Sequence, residues 1–255
     1  MNIAFFDAEY NNADFRKNSL EETIQVGFII CDESKLLQRE EDYVLNKYMT
    51  FVKPTLTKKL SKYVKKVTNI TQKQIDEGVT FKEAYSNILN LIEEYDIKKI
   101  YVWGSDKPII IKEFILHRKE FTNKQRKIIP RIMEDLSYDI SKKIDKDQIS
   151  LQNIAYIYSV KPQKSHDALD DALTLMEVYK KYKILNKDEL EEFKKRKALF
   201  KKYKKEKNTI QKLCTVIFPI LDNKDDLDLL VKEATRRYKT KDMSFDSFDE
   251  WREKE

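Results

Sequence analysis

The stretch IAFFDAE, residues 3–9, runs four apolar side chains straight into two carboxylates. Its apolar half predicts a buried strand over residues 2–8. Side chains two apart on a strand share a face, so Asp7 and Glu9 point the same way if the strand reaches that far. Like charges this close repel and raise each other's pKa. A divalent cation relieves that repulsion, and hard cations such as Mg²⁺ prefer carboxylate oxygen. Taken alone, the pair is a weak signal, and a strand end emerging into water is the more ordinary reading.

Working outward, ETIQVGFIIC (22–31) predicts a second strand and KYMTFVKP (47–54) a third, half-buried by its alternation and stopped at Pro54. Three successive strands with modest connections suggest an antiparallel meander. Helical spacing follows over 56–67, and TQKQIDEG predicts a short helix capped by Gly78. TFKEAYSNILNLIEEY opens with the Thr80–Glu83 capping-box pattern. KKIYVWG (98–104) is a fourth strand, with Gly104 relaxing its end. Asp106 then reads as the N-cap of a helix with Pro108 in its first turn. IIPRIMED (128–135) predicts a short fifth strand, and 150–160 and the segment after His166 predict helices. The expected architecture is an α/β domain over 1–185, a mixed sheet covered by helices. A helical extension over 186–255 follows, with a charged helix at 187–207 and an apolar segment, TIQKLCTVIFPIL, at 209–221.

Composition narrows the chemistry. The 255 residues are 41% hydrophobic, enough for a real core, and 37% charged with 50 basic and 44 acidic residues. The net +6 mildly favours an anionic partner such as nucleic acid, though a lysine-rich solvated surface explains it equally well. Only three glycines are present, so a glycine-rich phosphate loop is excluded and phosphate chemistry must use metals or side chains. Cys31 and Cys214 form no metal-type pair and are expected to be reduced, buried thiols of a cytoplasmic protein. No signal peptide is expected, and nothing approaches the roughly 18 apolar residues of a membrane span.

In SHDALDDALTLMEVYKKY (165–182), Ala168, Leu169, Ala172, Leu175, Met176 and Tyr179 form an apolar helical face. Asp171 lies on the core-facing row with Leu175, Val178 and Tyr182. Asp170 lies on the polar row with Thr174, Glu177 and Lys181. Asp171 is thus turned inward, where a carboxylate needs a partner. A metal is one candidate, and a rim acid favoured by the helix dipole is the other. His166, just before this helix, has the chemistry of a general base. His117, the second histidine, reads as an ordinary surface or capping residue.

Together these residues resemble the DEDDh 3′–5′ exonucleases of the DnaQ-like, RNase H-like superfamily. Its D-x-E motif is matched by Asp7 and Glu9, its aspartate after the fourth strand by Asp106, and its histidine followed five positions on by aspartate by His166 and Asp171. The chain is most similar to the Eri-type and KapD-like members: HDALDDA, ETIQVG, FVKP and VTNITQKQIDEG each match a segment of that pattern. WGSD is one residue shorter than the family's W-G-x-x-D, Asn69 stands where a glycine is usual, and NNADFRKN follows the first motif where the family varies. The resemblance spans about residues 1–183, and beyond 187 nothing is recognised.

The resemblance implies a mixed five-stranded RNase H-like sheet and two-metal phosphodiester hydrolysis with two Mg²⁺ or Mn²⁺ ions. Asp7, Glu9, Asp106 and Asp171 are the implied metal ligands and His166 the implied base. Single-stranded RNA or DNA 3′ ends are the implied substrate and nucleoside 5′-monophosphates the product. Ala8, Tyr10 and Asn11 are placed to meet the terminal nucleotide, with Tyr10 stacking on its base. A nuclease-like module that binds nucleic acid or protein without turnover is the alternative; loss of any of the four acids would favour it, and none is lost. In the basic helix at 194–205, interleaved Phe200 and Tyr203 would suit nucleic-acid backbone contact, but the adjoining acids Glu189, Glu191 and Glu192 favour an amphipathic helix whose aromatics pack inward while the lysines stay in water.

Overall fold

The apolar run at 3–6 is the buried centre of β1 (Asn2–Asn11), a strand that continues through both acids rather than stopping at residue 8. In the computed structural model, residues 1–11, 20–161 and 166–217 are described, with side chains through 208. The remaining elements are β2 (Glu22–Asp32), α1 (Glu33–Gln38), β3 (Val44–Phe51), α2 (Lys62–Thr68), α3 (Gln72–Glu77), α4 (Phe81–Glu94) and β4 (Lys99–Val102). They continue as α5 (Asp106–Leu116), α6 (Gln125–Ile132), β5 (Met133–Asp135), α7 (Ser137–Lys142), α8 (Leu151–Ile157), α9 (Ala168–Lys183) and α10 (Lys187–Ile217).

The described residues form one mixed five-stranded sheet in the order β3-β2-β1-β4-β5. The first three strands are the antiparallel meander, and β4 and β5 add in parallel. Strand alternation divides β1 between two cores. Ala4, Phe6 and Ala8 join Phe81, Tyr85 and Ile88 of α4 and Ile110 and Phe114 of α5 in one apolar cluster. Ile3 and Phe5 face the other way, where Phe5 packs against Tyr101 and Tyr179. The expected Thr80–Glu83 capping box holds, and α3 has a second one, Thr71 with Gln74, together with its expected Gly78 C-cap.

Three local expectations are corrected. The helix expected over 56–67 exists only as Lys62–Thr68, capped by Ser61. The chain before it is held in a loop by side chains that compete for its backbone groups. Glu22 accepts from the amides of Thr55, Leu56 and Thr57 at 2.6–3.0 Å. Asn11 donates to the carbonyls of Thr57 and Lys59 and accepts from the amide of Ser61. Second, the strand expected over 128–135 is helical to Ile132, because Ile128, Ile129 and Ile132 fall on one helical face and pack on the core; only Met133–Asp135 pairs with β4. Third, Asp106 is not an N-cap: Ser105 holds that position without a side-chain cap, and Asp106 is the first helical residue.

His117 is the C-cap of α5, as the capping reading has it, but it does not lie at the surface. It is buried, its ring lies 4.4 Å from that of Phe81 in a near-parallel stack, and its Nδ1 is 2.8 Å from Glu120. Cys31 is a buried free thiol. The side chain of Cys214, the apolar segment at 209–221 and the NNADFRKN stretch fall wholly or largely outside the described residues. The chain separates into two compact units, Met1–Glu189 and Leu190–Glu255. Within α10, Phe200 and Tyr203 are buried, as expected. Among the described residues no helix is long and apolar enough to cross a membrane.

Candidate active site

The row Ile3–Phe5 that faces α9 continues into Asp7 and Glu9. Phe5 meets Tyr179 of α9 with ring centroids 5.4 Å apart. From Tyr179 back to Asp171 is about 12 Å of helix, and from Phe5 on to Glu9 is about 13 Å of strand. A helix lying antiparallel along β1 therefore brings Asp171 abreast of the two strand acids. Gly27 permits the approach. It pairs with Asp7 across the β1–β2 ladder, and a Cβ built on it would lie 2.2 Å from the carbonyl oxygen of Ala168. Gln25 fastens the helix start, donating to Asp167 and accepting from the Ala168 amide, both at 3.2 Å. Asp167 in turn caps α9 through the amides of Leu169 and Asp170.

Asp171 is buried and Asp170 half-exposed, as the periodicity predicts; Thr174, placed on the polar row, is instead buried and bonds the carbonyl of Asp170. The second aspartate arrives from the neighbouring strand. β4 ends at Val102, Gly104 turns with φ +84°, a backbone conformation that favours glycine, and α5 begins. Asp106 is buried, and its Oδ1 accepts from the hydroxyl of Tyr10 at 2.6 Å. The amide of Ala8 also bonds its carboxylate, so β1 grips Asp106 from its backbone as well as from Tyr10.

Burial, then the charges of Asp106, Asp171 and Glu9, hold the Asp7 carboxyl well above the usual range. Burial, then Asp171 and Asp106, push Glu9 up to about 8. Burial lifts Asp106 to about 7 against the opposing Tyr10 bond, and burial also raises Asp171. Among the described residues the ion-pair contact to these four acids comes from His166, whose Nδ1 lies 4.0 Å from Glu9 Oε1. Among the described residues no lysine or arginine is ion-paired with them. Four converging carboxyls with their protons held on chiefly by burial, and at Asp7 and Glu9 also by neighbouring charge, are a donor set suited to hard divalent cations. Glu9, His166 and Asp171 present ligand atoms within 4.8 Å of one another.

His166 sits at the rim, its side chain 49% exposed. Its backbone is left-handed, φ +63°, and its amide donates to Asp171 Oδ2 at 2.9 Å. The five residues line one open cleft of about 510 Å³, walled opposite by Trp103 and the segment 148–152. The indole of Trp103 donates to the carbonyl of Ile149, which ties the two parts of that wall together. Ala8 and Tyr10 also line the cleft. Asn11 does not: it is fully buried and spends its side chain on the 57–61 loop. Gln25, Asp167 and the 148–152 wall were not singled out from the sequence. A buried glutamine in an otherwise apolar strand was the one available signal, since burying an amide requires a partner.

The exonuclease model described as RNase_T matches residues 4–179. The chain belongs to that exonuclease family. It is 29% identical over 159 residues to the probable 3′-5′ exonuclease KapD of Bacillus subtilis, covering 61% of this chain and 73% of KapD. The nuclease domain of 3′hExo, a DEDDh family member bound to rAMP, superposes with a TM-score of 0.56 at 18% identity, covering 70% of this chain and 90% of that one. S. pombe Pop2p in its Mg²⁺- and Mn²⁺-bound form superposes with a TM-score of 0.53 at 14% identity, covering 71% and 82%. The fold is therefore the RNase H-like exonuclease fold, a mixed five-stranded sheet flanked by helices. One departure from the family pattern has a local explanation: Asn69 ends α2 with φ +59°, a left-handed cap that glycine fits best and asparagine next.

Proposed function

We propose that this chain is a DEDDh-type 3′–5′ exonuclease that removes nucleoside 5′-monophosphates from single-stranded RNA or DNA 3′ ends. The observation that carries this is the convergence of Asp7, Glu9, Asp106 and Asp171 with His166 in one open cleft, with all four acids shifted upward. The names of KapD and 3′hExo support the polarity, and Pop2p supports the metals.

Asp7, Glu9, Asp106 and Asp171 would hold two Mg²⁺ or Mn²⁺ ions. Such ions supply charge stabilisation for the entering and leaving oxygens of a phosphodiester. The protein's own groups do the rest. His166, exposed at the rim, accepts the proton of the attacking water. The Tyr10 hydroxyl and the Ala8 amide keep Asp106 aimed into the cleft. Ala8 and the ring of Tyr10 face the terminal nucleotide, while Asn11 is assigned to the loop rather than to substrate. The catalytic domain is assigned to 1–185 and an extension to 186–255, in a cytoplasmic protein whose Cys31 stays reduced.

A binding module without turnover would keep the fold and lose acids from the quartet; all four are retained. The test is incubation of 5′-labelled RNA and DNA oligomers with Mg²⁺ or Mn²⁺, with chromatography of the products. Progressive shortening from the 3′ end, release of nucleoside 5′-monophosphates and abolition by EDTA are expected. Binding without any shortening would favour the module.

A further inference from the structure

Between Asp42 and Asp76 lie 33 residues, 43–75, with eight lysines and no acid. In a chain with 44 acids among 255 residues, that is a marked local departure from its otherwise mixed charge. The structure concentrates it further. Lys58, Lys59, Lys62, Lys65 and Lys66 are all exposed on the 57–61 loop and α2, and none is ion-paired among the described residues. By contrast, cations on α10 such as Lys194 and Arg196 pair with Glu191 and Glu192. Two large side chains, Leu56 and Tyr63, are each 61% exposed among these lysines.

The anchoring of this strip places it beside the cleft. Asn11, two residues beyond Glu9 on the same strand, binds the backbone at Thr57, Lys59 and Ser61. Its ladder partner Glu22 binds the backbone at Thr55, Leu56 and Thr57. Two residues of strand span about 7 Å, so the metal-ligand end of β1 and the lysine loop are built as one piece. Lysines held against a fixed backbone neutralise successive phosphates with less ordering cost than lysines on a mobile loop.

We propose that the strip from Lys58 to Lys66 is the track for the substrate strand upstream of its 3′ end, a single-stranded nucleic-acid backbone. The inference rests on the exonuclease reading of the cleft and adds where the rest of the strand lies. Lys58, Lys59, Lys62, Lys65 and Lys66 contact successive phosphates of that strand.

The test replaces all five lysines by alanine, with a five-arginine variant as the charge-preserving control; every site is exposed, and melting curves check folding. Binding of a 5′-fluorescein 20-mer in EDTA is read by anisotropy over a salt series. Each phosphate neutralised on a single strand contributes a slope of about −0.7 in log K against log salt. The alanine variant is expected to lower the slope by about two to three and raise Kd at least about ten-fold, with arginine restoring both. In Mg²⁺, the penalty should be large for the 20-mer and shrink for p-nitrophenyl thymidine 5′-monophosphate, which is too short to reach the strip. Equal Kd and slope for wild type and the alanine variant would overturn the track, as would wild-type binding to anionic vesicles but not to the oligomer. If the wild type binds the 20-mer through the strip yet hydrolyses neither substrate, the exonuclease reading fails and the track stands.

Discussion

The hydroxyl of Tyr10 donates to Oδ1 of Asp106 at 2.6 Å, across the boundary between β1 and α5. Tyr10 follows Glu9 across a register shift in the β1–β2 ladder, and from the wall of the cleft its side chain reaches Asp106. The same strand thus presents two acids and orients a third. Tyr10→Phe removes a bond to a group that must carry charge when metal is bound. Such a bond is worth about 1.5–3 kcal/mol, so divalent-metal affinity measured by calorimetry should fall about ten-fold or more. Unchanged affinity would show that the Ala8 amide alone suffices.

Gly27→Ala should be among the most damaging single changes outside the acids. The new Cβ would meet backbone, the Ala168 carbonyl oxygen at 2.2 Å, and backbone cannot swing aside as a side chain can. Overpacking typically costs about 1–3 kcal/mol, and each kcal/mol moves Tm by about 2–4 °C in a domain of this size. Since α9 carries Asp171 and must shift, metal affinity should drop as well. A melting curve and a Mn²⁺ titration check both effects.

His166 separates base from ligand. Its left-handed backbone makes asparagine a better replacement than alanine, because asparagine tolerates that conformation and keeps the amide bond to Asp171. His166→Asn should lower turnover by about 10²–10⁴ with Mn²⁺ affinity within two-fold of wild type. A large loss of affinity instead would make the imidazole a metal ligand, as its proximity to Glu9 and Asp171 permits.

Acidity offers a further check. Glu113 is buried under β2, where its carboxylate meets the amide and hydroxyl of Thr23, and burial pushes it up to about 8. An unfolded glutamate titrates near ~4.3. Folding therefore takes up a proton, and stability is full below the unfolded value and falls as pH rises toward about 8. Glu9, also raised to about 8, adds to the same slope in EDTA. Thermal melts from pH 5 to 8 should show declining Tm, less steeply in Glu113→Gln, and Mn²⁺ should restore more stability at pH 8 than at pH 5.

Much of this site was legible because its residues sit on regular elements. The period-two row through Phe5, Asp7 and Glu9 and the helical row through Asp171, Leu175 and Val178 each fix a facing direction from spacing alone. Asp106 was located but misread as a cap, since a helix-start aspartate looks the same whether it turns to its own amides or into a neighbouring strand. Asn11 was assigned to substrate for its position after Glu9, whereas its partners lie nearly fifty residues away in a loop that no local pattern announces. The Gly27–Ala168 approach and the Gln25–Asp167 clamp are likewise long-range contacts. Burial of an amide or a glycine in a strand hints at them without naming the partner.

Asp7 is the acid the account depends on most, because Asp106, Asp171 and Glu9 all act on its charge. The direct measurement is single-turnover cleavage of a 5′-labelled oligonucleotide by wild type and Asp7→Asn in saturating Mn²⁺. The wild type should produce a ladder shortening from the 3′ end, and Asp7→Asn should reduce its rate by at least about 10³-fold while its melting temperature stays near that of the wild type in EDTA. A ladder formed by Asp7→Asn at the wild-type rate would contradict the metal-quartet mechanism.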